Sequence, residues 1–470
     1  MAGAVVFATS AAILILEILA ARLLAPYVGV TLETYTAIIG TVLAGIALGS
    51  AAGGRAADRI DPRRLLGPLL VGGGALSLAT IPLVRFVGVT GEGAGAQQTV
   101  VLAAVGFFLP AAVLSAVSPT VAKLRLHSLA DTGTTIGSLS AIGTGGALFG
   151  TFLAGFVLVE AFPTSTSIVA VGALLVVAGL GLWLWLARVA ASLATVLVVV
   201  AAAGGAGTIA TDAECDVETT YHCARVELDG ARPGGRLLRL DTLRHSYVDL
   251  DDPTFLEFRY ARVFAEVIDA TAPGGPLDAV HIGGGGFTMP RYLAATRPGT
   301  QNTVLEIDGR LVELDRDQLG LDEVPGVDVR IGDARILLGA IADGSQDVVL
   351  GDAFGGLAVP WHLTTVEAIR EVRRVLRPGG VYVINVIDYP PTRFAKAETA
   401  TLLEVFDHVA VLAPQAALDG VDGDNFVLVA SMRELPLTPL VDAAEWAGDA
   451  PVLTDDHAPV DQWLARSRFR

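Results

Sequence analysis

Charge is scarce in the first half of this chain. Residues 1–210 hold nine Lys+Arg and seven Asp+Glu, a net of +2, against 23 and 42, a net of −19, in residues 211–470. So bare a stretch excludes an ordinary soluble domain there. The acidic second half excludes a nucleic-acid partner, since it repels a phosphate backbone. GxxxxGK[ST] is absent, which excludes a P-loop, and the one long glycine run lacks the spaced G-x-G-x-x-G of a dinucleotide site. The N-terminus has no basic start and carries Glu17 and Arg22 inside a continuous apolar pattern, so it is not a cleaved signal peptide. Cysteine is almost missing: Cys215 and Cys223 are the only two.

What is abundant is apolar. Hydrophobic residues make up 52% of the 470, and mean hydropathy is +0.58. Seven runs approach the roughly 20 residues that cross a bilayer: 4–25, 35–54, 65–86, 99–121, 136–159, 166–186 and 189–210. Gly45, Gly49 and Gly53 recur at helical spacing on the second, and Gly146 and Gly150 on the fifth, a pattern of close helix packing in lipid. Glu17 is an intramembrane carboxylate with two readings, a functional group or one buried against a polar neighbour.

Arg55, Arg59, Arg63, Arg64, Lys123, Arg125 and Arg188 fall in one set of loops; Arg22 and Arg85 are the only cations of the other. By the charge rule the N-terminus is cytoplasmic, and seven spans then put residues 211–470 outside. The stretch GGRAADRIDPRR, 53–64, loosely resembles the cytoplasmic loop between helices two and three of major-facilitator transporters, though Asp61-Pro62 interrupts it. Cys215 and Cys223 agree with an outward side if they form the disulfide we expect, because disulfides persist outside the cytoplasm. The other reading is two unpaired thiols, one of them in the strand TTYHCARVEL.

Past residue 216 the period changes. ETTYHCARVEL, a turn at DGARPGG and RLLRLD read as a β-hairpin, and an amphipathic helix closes SYVDLDDPTFLEFRYARVFAEVIDAT. From Leu277, strands and helices alternate, which predicts a mostly parallel sheet with helices on both faces. The organisation expected is a transmembrane helical domain over 1–210, a β-hairpin and linking helix over 211–275, and a Rossmann-like α/β domain over 276–470.

Ligands of such sheets bind at the carboxyl ends of strands, and there the unusual residues fall. The first strand ends in HIGGGGFTMP, whose Gly283, Gly284 and Gly285 let backbone approach a ligand. Glu306 ends the second strand in VLEID, Asp333 with Ala334 the third in IGDA, and Asp352 the fourth in LGDAF. A carboxylate about 20 residues after a glycine turn suits a ribose diol. For any one of the acids a helix N-cap is the plainer reading; together they point to a nucleoside site. With no phosphate cradle and an acidic pocket, the ligand expected is a cationic sulfonium nucleoside, and no metal is expected.

The order GGGG, VLEID, IGDA, DVVLGDAF, VLRPGG resembles the class I S-adenosylmethionine methyltransferase fold and, more narrowly, the spermidine synthases, the polyamine aminopropyltransferases. LTDDHAPVDQW, 453–463, is similar to their ending. LEILAARLLAPYVG, GIALGSAAGGRAADR and VPWHLTT resemble the multi-pass membrane branch of the family. The resemblance implies decarboxylated S-adenosylmethionine or S-adenosylmethionine as co-substrate, and an amine such as putrescine as acceptor. It places Glu306 on the ribose hydroxyls, Asp333 near the adenine amine, Asp352 as the catalytic carboxylate, and Tyr221 and His245 on the substrate side. The family's GGGDGG departs here to Gly286 followed by Phe287-Thr288, and its D-[ST]-x-D-P reads Asp352-Ala353-Phe354-Gly355-Gly356. Nucleoside positions are kept and diamine positions largely lost. Two alternatives to aminopropyl transfer stay open, a methyltransferase on the same site and a non-catalytic transporter or sensor. The partners expected are a small amine and the lipid bilayer; homo-oligomerisation is left open.

Overall fold

The computed structural model describes residues 2–30, 32–90, 96–126, 132–186, 201–202, 204–208, 214–272 and 274–467. The chain divides into two compact units, Met1–Cys223 and Ala224–Arg470.

Among the described residues of the first unit, six helices are long and apolar enough to cross a membrane: α1 (Ala2–Val28), α2 (Leu32–Arg59), α3 (Pro62–Val89), α4 (Gln97–Arg125), α5 (Thr132–Ala161) and α6 (Thr164–Leu186). The seventh expected span, 189–210, falls largely outside the described residues. Glycines set the closest approaches. A Cβ on Gly45 would stand 2.7 Å from the Phe108 carbonyl oxygen, and one on Gly53 2.6 Å from Ala116 Cα, so α2 lies directly on the backbone of α4. Gly146 and Gly150 bring α5 onto Phe7 and Ala11 of α1 in the same way. Glu17 lies half-buried on α1. At the far end of the unit Arg22 donates to the carbonyls of Thr219 and Thr220 and to Thr164 Oγ1. Glu218 accepts from the backbone of Ser165, and Cys215 and Cys223 are joined as a disulfide.

The second unit begins with an antiparallel sheet of β1 (Cys223–Leu228), β2 (Gly235–Leu240) and β3 (Leu243–Asp249). The third strand corrects the sequence reading, which placed SYVD in a connection. Its entry is a two-residue turn, Asp241-Thr242, in which Asp241 takes a left-handed φ of 52°. That dipeptide lacks the Asn-Gly or Asp-Gly signature of hairpins.

Helix α7 (Arg259–Thr271) turns Phe264, Val267 and Ile268 inward onto the main sheet. That sheet holds β4 (Asp278–Ile282), β5 (Gln301–Glu306), β6 (Val327–Ile331), β7 (Gln346–Gly351), β8 (Leu376–Asp388), β9 (His408–Leu412) and β10 (Asp424–Ser431), in the spatial order β9-β10-β8-β7-β4-β5-β6. Five strands run parallel; β10 pairs antiparallel with both β8 and β9. The helix α11 (Val366–Val375) ends just before Arg-Pro-Gly-Gly, which lies at the start of the long strand β8. The central strands read AVHI, VVL and VYVINV, as suits strands covered on both faces. Helix α7 covers one face, while α11 and α12 (Arg393–Leu403) cover the other. Strand order reverses between β4 and β7, and a crevice opens at the carboxyl ends of strands at such a point.

Candidate active site

The glycine run and Asp352 meet at that reversal. Asp352 N donates to the Ile282 carbonyl at 2.9 Å, locking the end of β7 beside the end of β4. Gly283 takes φ +93°, and a Cβ there would stand 2.5 Å from the Asp352 carbonyl oxygen, so both conformation and proximity require glycine. Next, Gly284 N donates to Glu306 Oε2 at 2.7 Å and Asp308 N to Glu306 Oε1 at 2.9 Å. Glu306 is buried and ties the loop to β5; its Oε2 also accepts from Gly285 N at 3.4 Å, while Oε1 keeps a second acceptor lone pair. Gly286 N donates to Ser246 Oγ at 3.1 Å, and Thr288 Oγ1 to the Tyr247 carbonyl, so β3 clamps the far side of the loop. Phe287 closes it at φ +55°, fully buried against Val304, Val312 and Leu321.

Asp352 is held by two polar side chains, one of which is backed by a third. Tyr260 OH donates to its Oδ2 and Asn385 Nδ2 to its Oδ1, each at 2.9 Å; Asn425 Nδ2 donates in turn to Asn385 Oδ1 at 2.9 Å. Burial pushes the Asp352 carboxyl up to about 6, against the two donors, which favour its charged form. Burial and the neighbouring carboxylate keep the Tyr260 phenol protonated, so it remains a donor. Asp352, Tyr260 and His245 line a cavity of about 490 Å³ that extends to Phe258, Arg259 and Tyr389. The same three residues line a water-sized crevice against Gly283, Gly284 and Gly285. They therefore stand between the glycine loop and the larger cavity.

Asp333 caps α10 (Ala334–Leu338): its Oδ1 accepts from Arg335 N at 2.8 Å, with Ala334 buried behind it. Its Oδ2 lies 3.2 Å from His362 Nε2, in VPWHLTT. Arg335 forks onto Asp455 at 2.9 and 2.7 Å and reaches the His362 carbonyl and Thr365 Oγ1, joining the C-terminal TDDHAP segment to this corner. His245 Nδ1 is 2.9 Å from Ser246 Oγ. Tyr221 belongs to the other unit, inside the loop closed by Cys215 and Cys223, and is exposed. Gly286 and Gly355 differ in kind. A Cβ on Gly286 would stand 3.0 Å from Ser246 Cβ, whereas one on Gly355 would meet nothing nearer than the Ala358 carbonyl oxygen at 4.0 Å. Packing fills the first position and leaves the second free.

Sequence reading missed Tyr260, Asn385, Asn425 and the cavity arginines Arg244 and Arg259. One signal was there: Asn385 is the lone amide in the apolar run VYVINV, and a polar group so placed needs a partner. His281 answers the same test differently. It is buried neutral, with burial lowering its pKa to about 4, and its Nε2 pairs with Asn302 Oδ1 between β4 and β5.

A family model described as "Methyltransferase domain" matches residues 280–384. The chain is 30% identical over 158 residues to a polyamine aminopropyltransferase of Vibrio vulnificus, covering 33% of this chain and 50% of that one. It is 33% identical to a probable spermidine synthase of Corynebacterium glutamicum, covering 51% of this chain and 95% of that one, with a TM-score of 0.47. The chain belongs to the spermidine synthase family. It spans about half the length of the Vibrio vulnificus relative. Within the spermidine synthase family this chain also carries six apolar helices, consistent with the multi-pass branch and with membrane association.

Proposed function

We propose that the second unit transfers the aminopropyl group of a sulfonium nucleoside, decarboxylated S-adenosylmethionine, to an amine. One observation carries the reading: Asp352 stands between the glycine loop and a cavity large enough for an acceptor, held by Tyr260 and Asn385. The residues fit the nucleoside. Gly283 and Gly284 give bare backbone, Glu306 a carboxylate for the ribose diol, and Asp333 an acceptor for the adenine amine.

In the reaction the acceptor nitrogen attacks the carbon next to sulfur. Its lone pair forms the C–N bond, and the C–S pair leaves with sulfur as a neutral thioether, methylthioadenosine. The nitrogen then carries one proton too many, and Asp352 takes it. With its pKa near 6 that carboxylate is ionised at pH 7 and can accept. Tyr260 and Asn385 fix its orientation, so amine and carbon meet in line.

A second reading has one observation in its favour. Gly286 leaves no carboxylate where the family holds the aminopropyl ammonium, and a donor bearing its own carboxylate would meet no repulsion there. That donor is S-adenosylmethionine, and the reaction methyl transfer. Incubating the full chain in lipid nanodiscs with either donor and a mixture of amines separates the two. Methylthioadenosine from the decarboxylated donor supports aminopropyl transfer. S-adenosylhomocysteine alone supports methyl transfer, and release of neither contradicts both.

A further inference from the structure

The cavity beside Asp352 has the wrong charge pattern for a diamine. A diamine in neutral water brings two ammonium groups, and each wants an unpaired carboxylate. Two carboxylates line the cavity, Asp352 and Asp424. Asp424 is already matched, its Oδ1 accepting from Arg259 at 2.9 Å. A third acid at position 355 would have room, and the chain has glycine there.

Two guanidinium groups line the same space. Arg259 uses one nitrogen on Asp424 and the Asn425 carbonyl; its other two make no hydrogen bond among the described residues. Arg244 lies over the Phe258 ring, 5.6 Å from its centroid. Its described polar contact is an ion pair of 3.5 Å with Glu257, which is not part of the lining. Planar forks with open donors match a carboxylate, where an ammonium would be repelled. Phe258, Phe354 and Tyr389 line apolar wall for methylene groups.

Resting on the transfer reading above, we infer that the acceptor is an amine that also bears a carboxylate, an amino acid with a terminal amine, its nitrogen at Asp352 and its carboxylate at Arg244 and Arg259. Ornithine and putrescine form the matched pair: both bring two ammonium groups in neutral water and they differ by one carboxylate, so the comparison isolates the carboxylate. Equilibrium binding of each to the full chain in nanodiscs tests the inference without requiring turnover. Ornithine binds at least about tenfold tighter, the worth of one charge-assisted hydrogen bond. Arg259→Gln brings the ratio toward one. Because Arg259 also braces Asp424, Arg244→Gln, at a more exposed residue, serves as the second variant and lowers the ratio too. Putrescine binding as tightly as ornithine, neither amine binding, or a ratio unmoved in both variants overturns the inference. Methylthioadenosine release is read separately. Selective ornithine binding without release from any amine contradicts the transfer reading and leaves the carboxylate assignment standing.

Discussion

Gly286 and Ser246 occupy one another's space: the glycine N–H donates to the serine hydroxyl at 3.1 Å, and a Cβ on the glycine would stand 3.0 Å from the serine Cβ. The family's aspartate at this position would therefore be crowded by Ser246 of β3. Gly286→Asp alone lowers thermal stability by an overpacking cost of about 1–3 kcal/mol. Adding Ser246→Gly restores most of it. A thermal shift assay on both variants checks the pair; a single variant as stable as the wild type would show that the loop simply moves aside.

Asp352 works against the stability of the fold at neutral pH. Its pKa is about 6 in the folded chain, above that of an exposed aspartate, because of burial. The folded state thus holds the proton more tightly. The stability gained from that is fully present below the unfolded pKa and is lost as pH rises through about 6. Asp352→Asn is neutral at every pH, so at pH 8 it is more stable than the wild type, by about 3 kcal/mol at most. Toward pH 4 the difference closes. Unfolding midpoints from pH 4 to 8 give the sign directly.

Asn385 sets where the rate falls on acidification. Its amide donates to Asp352 Oδ1 and favours the ionised form. The wild-type rate is expected to fall below about pH 6 as Asp352 protonates. Asn385→Leu removes the donor, raises the carboxyl pKa and moves that limb upward by roughly one pH unit, in line with a hydrogen bond to a charged group. A residue that only supported the fold would lower the rate at all pH values and leave the limb where it was.

Phe287 holds a left-handed conformation that costs about 1 kcal/mol for a non-glycine residue, while its ring is fully buried under Gly284. Phe287→Ala keeps the strain and loses the ring, a cost of about 3–5 kcal/mol. Phe287→Gly loses the ring and relieves the strain. The expected order of stability is wild type, then the glycine variant, then the alanine variant, by thermal or denaturant midpoint. Alanine above glycine would contradict the conformational part of the account.

The placement of Gly283, Glu306, Asp333 and Asp352 was legible in sequence because each sits at a strand end within a few residues of a glycine. Chain order also carried the parallel core of the sheet. Residues that meet only through the fold were not legible. Tyr260 lies 92 residues from Asp352, Asn385 lies 33 away, and Asn425 a further 40, with no motif spacing to join them. The insertion of β10 between β8 and β9 leaves no mark either, since HVAVL and NFVLVAS pattern alike in either direction. The third strand of the small sheet was hidden by its unremarkable turn, and with it the contact of Ser246 on the loop.

The most direct test of the central claim is the rate of methylthioadenosine release from decarboxylated S-adenosylmethionine and an amine by the full chain in nanodiscs, wild type against Asp352→Asn. Release that depends on the amine, and falls by about 10²–10⁴-fold in the variant, is the result expected of a carboxylate that takes the acceptor's proton. Release at an equal rate in the variant, or none from the wild type with any amine, would contradict it.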